Sequence, residues 1–466
     1  MSGNPIKSLE NHLLLRLAAF RRSQLLGSDP FSRQEHVLRR LLKLSEHTEF
    51  GRIHGFSSIR SSRQFLSSVP PMSYDDLRPQ IDHILEGRRN VLFPGVPKCF
   101  GVTTGSEGEA KLIPLNSTLL RSTRMAAIDA ALLGSVQRGS LSWHRGKTLY
   151  IGPRKGRLVG SWNVFSEGTA FVYLQARSLS ARFVPGYDDL PGPQENNDSD
   201  FLKACVDRYP IRSLAGNPLE IVGFADSTQT VMPDVEIVMN CGYWAADHQH
   251  VYERAFPNAT VVDVCGSNEG IWGLPVSSGK FLLNHRRVFF SFLPLDGGHT
   301  AVGLENTQIG RKYRLCVTTP GGLWNYLTGD VVCFENVRPP LFVLCGRYGR
   351  ALPLEEGWLT ENEVVGAVRK SAWYGLDYYL SLEANGCVLY IDGAKPDAET
   401  VDRNLCKMNA AYRYLRTSGK LAALVVRQTH IVRRDRAKPV RIKIQSKLKG
   451  ACHEAHFLPD QNKHLP

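Results

Sequence analysis

No apolar run in this 466-residue chain approaches the roughly 18 residues that a membrane-spanning helix needs. Leu13-Leu14-Leu15 is cut short by Arg16, which excludes a secretory signal peptide, and Glu10, Asp29 and Glu35 oppose an Arg-bearing organelle transit peptide. C-x-x-C is absent. The ten cysteines stand singly at 99, 205, 241, 265, 316, 333, 345, 387, 406 and 452, so zinc-ribbon and redox-motif readings lose their spacing. A chain this long has no need of disulfide staples, and reduced cytoplasmic thiols are the expectation. G-x-S-x-G and H-E-x-x-H are missing too, which removes the common hydrolase signatures. There are no internal repeats and no low-complexity tracts.

What is present is ordinary globular material with one biased region. Hydrophobic residues make up 42% and charged residues 22%, enough to bury a sizeable core. The net charge of +13 is unevenly placed: residues 401–450 carry 14 Lys and Arg against Asp402 and Asp435, leaving the remainder close to neutral. Such a segment favours a polyanion, whether nucleotide phosphates, nucleic acid or an anionic membrane surface; a merely solvated basic face is the plain alternative. Asp247-His248-Gln249-His250 is a poor metal cluster, because histidines two apart on a helix do not share a face.

Apolar spacing predicts amphipathic helices over 9–25 and 34–47, a break at Val69-Pro70-Pro71 and a short helix from Tyr74. From about 97 to 345, strand-like runs (148–152, 170–174, 235–239, 260–264, 288–293, 313–319, 331–334, 341–344) alternate with helical stretches such as 116–133 and 246–256. That alternation predicts an α/β core, with ligands at the carboxyl ends of strands. A smaller unit follows: helix 361–370, strands 377–383 and 387–392, helix 397–415 and strand 423–432. The expected fold is therefore a large N-terminal α/β domain over 1–345, with mixed sheets and flanking helices, hinged near Cys345–Gly349 to a small basic α+β domain over 346–466. Asp188–Asp200 reads as a surface loop.

Three polar segments carry chemistry. In Val102-Thr103-Thr104-Gly105-Ser106-Glu107-Gly108-Glu109-Ala110-Lys111, glycines admit close backbone approach, hydroxyls add donors and Lys111 adds a charge for phosphates. It is not a P-loop, since no Ser or Thr follows the lysine. In Val261-Val262-Asp263-Val264-Cys265-Gly266-Ser267-Asn268-Glu269-Gly270 a strand runs into a polar turn, where Glu269 suits a magnesium ion. Trp324-Asn325-Tyr326-Leu327-Thr328-Gly329-Asp330 places an acid in a turn before a strand, suited to the vicinal hydroxyls of a ribose or to a turn cap.

These segments resemble the signature motifs of the luciferase-like adenylate-forming ligases: the phosphate loop at 103–111, Gly266-Ser267-Asn268-Glu269 as the magnesium motif and Tyr326-x-Thr328-Gly329-Asp330 as the ribose motif. A closer likeness is to the auxin-responsive acyl acid amido synthetase family. It is carried by Thr48-Glu49-Phe50-Gly51-Arg52, Val69-Pro70, Tyr74-Asp75-Asp76-Leu77, Phe290–Asp296, Thr318–Trp324 and Ala411–Arg416, and spans roughly residues 45–445.

The resemblance implies a mechanism. A carboxylate attacks the α-phosphate of ATP to give an acyl adenylate and pyrophosphate, and an amine or amino acid then displaces AMP to form an amide. It implies that Thr103, Thr104, Gly105, Ser106 and Lys111 cradle phosphates and that Glu269 holds Mg²⁺. Asp330 would take the ribose and Tyr326 would lie beside the nucleotide. Gly242 and Tyr243 would line the adenine pocket, and Cys265, Gly266, Ser267, Asn268 and Arg347 are counted with the nucleotide-binding residues. Arg436-Ala437-Lys438-Pro439-Val440-Arg441 resembles the C-terminal lysine motif, with Lys438 as the catalytic lysine and Lys443 and Lys447 as competitors. Cys265 stands where the family usually carries an adenine-stacking aromatic, with Tyr243 and Trp272 as candidate replacements. Asn268 replaces a common hydroxyl, and Leu327 a common basic residue. The acyl acid would lie against Leu214–Glu220 and residues 119–133. The expected partners are a small carboxylic acid and an amine, with no nucleic acid and no membrane span, in a monomeric cytoplasmic protein. An acyl–CoA ligase with the same adenylation step is the alternative, followed by a basic nucleic-acid or membrane-surface binding protein with a degenerate site.

Overall fold

The computed structural model describes residues 5–103, 111–152, 157–166, 182–184, 199–242, 248–355, 357–371, 378–383, 386–392, 395–429 and 442–443. They divide into two compact units, one taking in Met1–Gly101 and Leu112–Tyr348, the other Val102–Lys111 and Gly349–Ile431.

The first unit opens with helices α1 (Pro5–Gly27), α2 (Pro30–Ser45), α3 (Glu49–Ile53), α4 (Ser62–Ser68) and α5 (Tyr74–Leu85). Their starts are written in the sequence: Asp29, Thr48, Ser61 and Ser73 each accept a first-turn backbone N–H, and Ser73 forms a capping box with Asp76. Strands β1 (Cys99–Thr103), β2 (Lys111–Leu115), β4 (Arg157–Val159) and β5 (Trp162–Ser166) make a small sheet ordered β2-β1-β5-β4.

The large sheet has eleven strands. One half is parallel, ordered β6-β3-β7-β8-β9 (Phe183–Val184, Lys147–Ile151, Ile211–Gly216, Ile237–Cys241, Thr260–Ser267). The other half is antiparallel and runs from β9 through β10 (Gly270–Ser277), β11 (Lys280–Leu283), β15 (Pro340–Arg347), β14 (Tyr326–Val337) and β13 (Lys312–Thr318) to β12 (Phe289–Pro294). Helix α6 (Ser117–Arg138) packs Ala126, Ala130 and Leu133 with Leu25 of α1 against Ile271, Leu274 and Leu282. Helices α7 (Ser199–Arg208), α8 (Pro218–Thr228) and α9 (Gln249–Ala255) enclose a second core with Leu149, Leu214 and Val238. Among the described residues no helix is long and apolar enough to cross a membrane.

His285 fastens the α1–α2 corner to the sheet. It is buried, with Nδ1 donating to Leu283 O at 2.8 Å and Nε2 against Ser28 Oγ at 2.9 Å. Burial pushes its pKa down to about 4, opposed by the hydrogen bond to the Leu283 carbonyl and by Asp29, with Arg286 and Arg33 adding to the fall. The unfolded chain therefore takes up a proton at this position sooner than the folded one as pH falls through 6.5 towards 4. The stability that neutral His285 contributes is fully present above that window and lost across it. We expect this one group to cost about 2 kcal/mol between about pH 7 and pH 5, seen as a steeper fall in melting temperature for the wild type than for His285→Gln.

The second unit pairs β16 (Leu352–Leu354) with β17 (Gly357–Leu359) and orders β20-β19-β18-β21 (Ala422–Gln428, Gly386–Ile391, Tyr378–Glu383, Ile442–Lys443) into a sheet. Helices α10 (Glu361–Arg369), α11 (Ala398–Met408) and α12 (Ala410–Thr417) cover it. The helix expected over 397–415 is thus two. Asn409 takes extended backbone at φ −129° and turns its side chain to accept from Tyr412 N, ending one helix and capping the next. The strand expected over 170–174, and all of the 188–200 loop but its last two residues, which open α7, lie outside the described residues.

Candidate active site

The carboxyl ends of β7, β8 and β9 share one edge of the parallel half, where a doubly wound sheet offers a crevice. At the end of β7, Asn217 caps α8 by accepting from Leu219 N at 3.0 Å. β8 ends in Cys241 and Gly242, the latter at φ +102°, a conformation glycine adopts without strain. Behind this edge, Tyr252 Oη donates to Asn240 Oδ1 at 2.8 Å, and Asn240 Nδ2 donates to Asp263 Oδ1 at 3.2 Å.

The strand β9 continues through Cys265, Gly266 and Ser267, further than the sequence suggests, and the chain reverses over Asn268 and Glu269 alone before β10. Gly266 is obligatory here: a Cβ would sit 2.5 Å from Gly270 O and 2.9 Å from Ile271 Cα. Asn268 is buried against Gly101 of β1, where an added Cβ would lie 3.1 Å from Asn268 Cβ. Glu269 is 6% exposed and accepts a short hydrogen bond from Ser267 Oγ.

Asp330 lies within strand β14, not in a turn before it. The correction has a local cause: between the pairs Arg314↔Val331 and Cys316↔Leu327, β14 holds three intervening residues against one on β13. The polar Thr328-Gly329-Asp330 run is accommodated as a bulge, with Gly329 at φ +82°. Thr328 Oγ1 donates to Leu315 O at 3.1 Å and accepts from Asp330 N at 3.1 Å. Asp330 faces its register partner Arg347 on β15, whose Nη1 donates to Asp330 Oδ1 at 2.7 Å. A Cβ on Gly329 would lie 2.8 Å from Arg347 Nη2, so the glycine makes room for that pair.

Tyr326 joins the two clusters. Its hydroxyl is driven well above the ordinary tyrosine range, first by burial and next by the charge of Glu269, with Tyr74 and Asp330 adding and Arg347 opposing. The buried Cys265 thiol is likewise raised, by burial and then by Asp330 and Cys241 against Arg347. Cys265, Glu269, Tyr326, Asp330 and Arg347 therefore share one neighbourhood.

The Val69-Pro70-Pro71 break explains how Tyr326 is held. Asn325, at φ +46°, donates to Val69 O at 2.8 Å and accepts from Ser291 Oγ at 2.5 Å. Met72 N donates to Asn325 O at 2.9 Å, and Leu327 N donates to Met72 O at 2.8 Å. Sequence reasoning saw the Pro-Pro break but not its docking partner. It likewise missed Tyr74, whose hydroxyl accepts from Leu112 N at 2.9 Å, although the Tyr74–Leu77 run was itself a signal.

Other expected residues fare differently. Trp272 cannot replace an adenine-stacking ring: it is fully buried, edge-on to Phe290 at 6.5 Å. Thr103 ends β1 and half-buried Lys111 opens β2. Thr104, Gly105, Ser106, Tyr243 and Lys438 lie outside the described residues. Asp247 does as well; His248 is buried and His250 exposed, and the described residues contain no group of three or more His, Cys, Asp or Glu fit for a metal ion. One buried carboxylate beside a hydroxyl does fit Mg²⁺ of the kind held mainly by substrate phosphates and water.

Comparison with known proteins finds similarity along most of the chain. The GH3 family N-terminal domain matches residues 20–154 and the GH3 family central domain matches residues 281–347. Indole-3-acetic acid-amido synthetase GH3.3 of Arabidopsis thaliana is 32% identical, with 73% of this chain and 71% of that protein covered. Probable indole-3-acetic acid-amido synthetase GH3.2 of Oryza sativa subsp. japonica is 35% identical, with 73% and 69% covered. The solved structure of AtGH3.15 acyl acid amido synthetase in complex with 2,4-DB has the same fold, with a TM-score of 0.68 at 17% identity over 88% of this chain and 89% of that one.

Proposed function

The chain belongs to the GH3 family, and from that premise we propose how its residues divide the work of an AMP-forming acid–amine ligase. It activates a carboxylic acid with ATP as acyl-AMP and transfers the acyl group to an amine. In the first step a carboxylate oxygen bonds to the α-phosphorus as the bond to the pyrophosphate oxygen breaks. In the second, the amine nitrogen bonds to the acyl carbon, AMP leaves with its phosphate oxygen, and the nitrogen loses a proton.

The first step presses an anion against a polyanion, so it needs charge neutralisation and a fixed line of attack. Asp330 accepts from the ribose hydroxyls while Arg347 holds its carboxylate in place. Gly266 lets the β9 backbone close on the nucleotide, with Gly242 and Tyr243 along the adenine and Tyr326 beside it. Glu269, assisted by Ser267, would hold Mg²⁺, which supplies charge neutralisation at the phosphates. Thr103, Thr104, Gly105, Ser106 and Lys111 receive the phosphates, and Lys438 reaches the α-phosphate. The adenine face loses its usual ring at Cys265, leaving Tyr243 as the candidate platform. Residues 119–133 and 214–220 wall the acyl pocket, with Met125 and Ile128 half-exposed on α6. A monomer in a reducing, cytoplasmic setting suits the buried thiols of Cys99, Cys316 and Cys387, each pushed up to about 12 by burial.

The observation that carries this reading is the Asp330–Arg347 pair sharing the surroundings of Tyr326 with the buried Glu269. The test is ATP–pyrophosphate exchange across a panel of acids, then mass analysis of products formed with amino acids, other amines and pantetheine thiols. Acid-dependent exchange with an amide product is expected, and Lys438→Ala is expected to lower exchange at least tenfold. Exchange with no acid, or thioester as the sole product, would overturn the reading.

A further inference from the structure

Helix α1 carries apolar side chains on two faces, one buried and one exposed. Its inner face is anchored: Ala18 and Leu25 are buried, Arg21 makes a two-bond pair with the buried Asp129 of α6 at 2.7 and 2.9 Å, and Asn11 Oδ1 accepts from Leu141 N at 2.8 Å. Its outer face carries Leu9, Leu13, Leu17 and Phe20, which are 61, 53, 63 and 61% exposed. Spacings of four, four and three residues put all four on one stripe about 16 Å long. Large apolar side chains that contribute nothing to the core, held outward on a rigidly tethered helix, make a surface that water disfavours.

Charge decides what covers it. Arg16 is exposed beside the stripe. At the helix's end Arg286 donates to Gln24 O at 3.1 Å; burial first, then Arg21, Arg33 and Arg287, weigh against its charge, and Asp129 favours it. The helix's own acid, Glu10, is engaged by Arg145 at 2.8 Å. A second copy of this chain is a poor occupant. Antiparallel pairing through the stripe would set Arg16 near its symmetry mate. The stripe also offers a few hundred Å² at most, where a stable interface needs about 800 Å² per partner.

We propose that α1 is a peripheral membrane-docking helix that lays the Leu9–Leu13–Leu17–Phe20 stripe into the interface of an anionic lipid surface, with Arg16 at the headgroups. An apolar stripe buried among acyl chains and cations set against acidic headgroups is the chemistry of an interfacial helix lying in the membrane plane.

The test is sedimentation of the full chain with vesicles of phosphatidylglycerol mixed with phosphatidylcholine, and with phosphatidylcholine alone. Binding to the anionic vesicles is expected, falling at high salt and weak on the neutral ones. Leu13→Glu/Leu17→Glu should lower the partition coefficient at least tenfold while leaving the melting temperature unchanged, because both side chains face water. Leu13→Phe/Leu17→Phe should bind as well as the wild type or better. Equal binding by wild type and the Glu variant would assign the affinity to other basic residues and overturn the proposal. So would no binding at all, or a sedimentation-velocity dimer that the Glu variant dissolves.

Discussion

Asp330→Ala should lower acid-dependent ATP–pyrophosphate exchange by about 10² to 10⁴, mostly through the Michaelis constant for ATP. The carboxylate is held by one arginine hydrogen bond at 2.7 Å, which leaves lone pairs for a ribose diol. Two charge-assisted hydrogen bonds to a nucleotide are each worth about 1.5–3 kcal/mol, which sets the range. Fold stability should hardly move, because Arg347 is about one-third exposed and can be rehydrated when its partner goes. Asp330→Asn, which keeps shape and one acceptor, should fall between the two. An ATP Michaelis constant for the alanine variant within threefold of the wild type would remove Asp330 from the nucleotide site.

Glu269→Gln should be comparably severe by a different route. Glu269 is the acid of the two-residue reversal between β9 and β10, 6% exposed, with Ser267 Oγ as its described partner. If Glu269 holds Mg²⁺ as proposed, losing the charge would remove its anionic ligand, so exchange should drop by about 10² or more and saturate only at higher magnesium. The same change relieves a buried charge facing the Tyr326 hydroxyl, so the melting temperature should hold or rise. An unaltered magnesium titration would show that Glu269 does not serve the metal. A collapse in stability would instead make it a structural acid.

The two variants also mark how far the sequence could be read. Glycines, hydroxyls and acids at 266–269 and 326–330 were recognisable because their chemistry is local. Their geometry was not, because it depends on neighbours far along the chain. Gly329-Asp330 looks like a turn, yet β13 and β15 on either side hold it in a strand as a bulge. Trp272 has an aromatic's chemistry, but its place in β10 turns it into the core. Asn409 stood inside a run of good helix formers, and only its side-chain bond to Tyr412 N shows that the run is two helices. Alternating α and β texture, by contrast, foretold the large α/β unit and its smaller companion, since hydrophobic periodicity belongs to each element alone.

Strand β9 has one more property that matters. It runs alongside β8 in the same direction and against β10 in the opposite one, making it the seam between two differently built half-sheets with separate cores. Whatever sits at its tip is gripped from both flanks, much as a rivet passes through two plates.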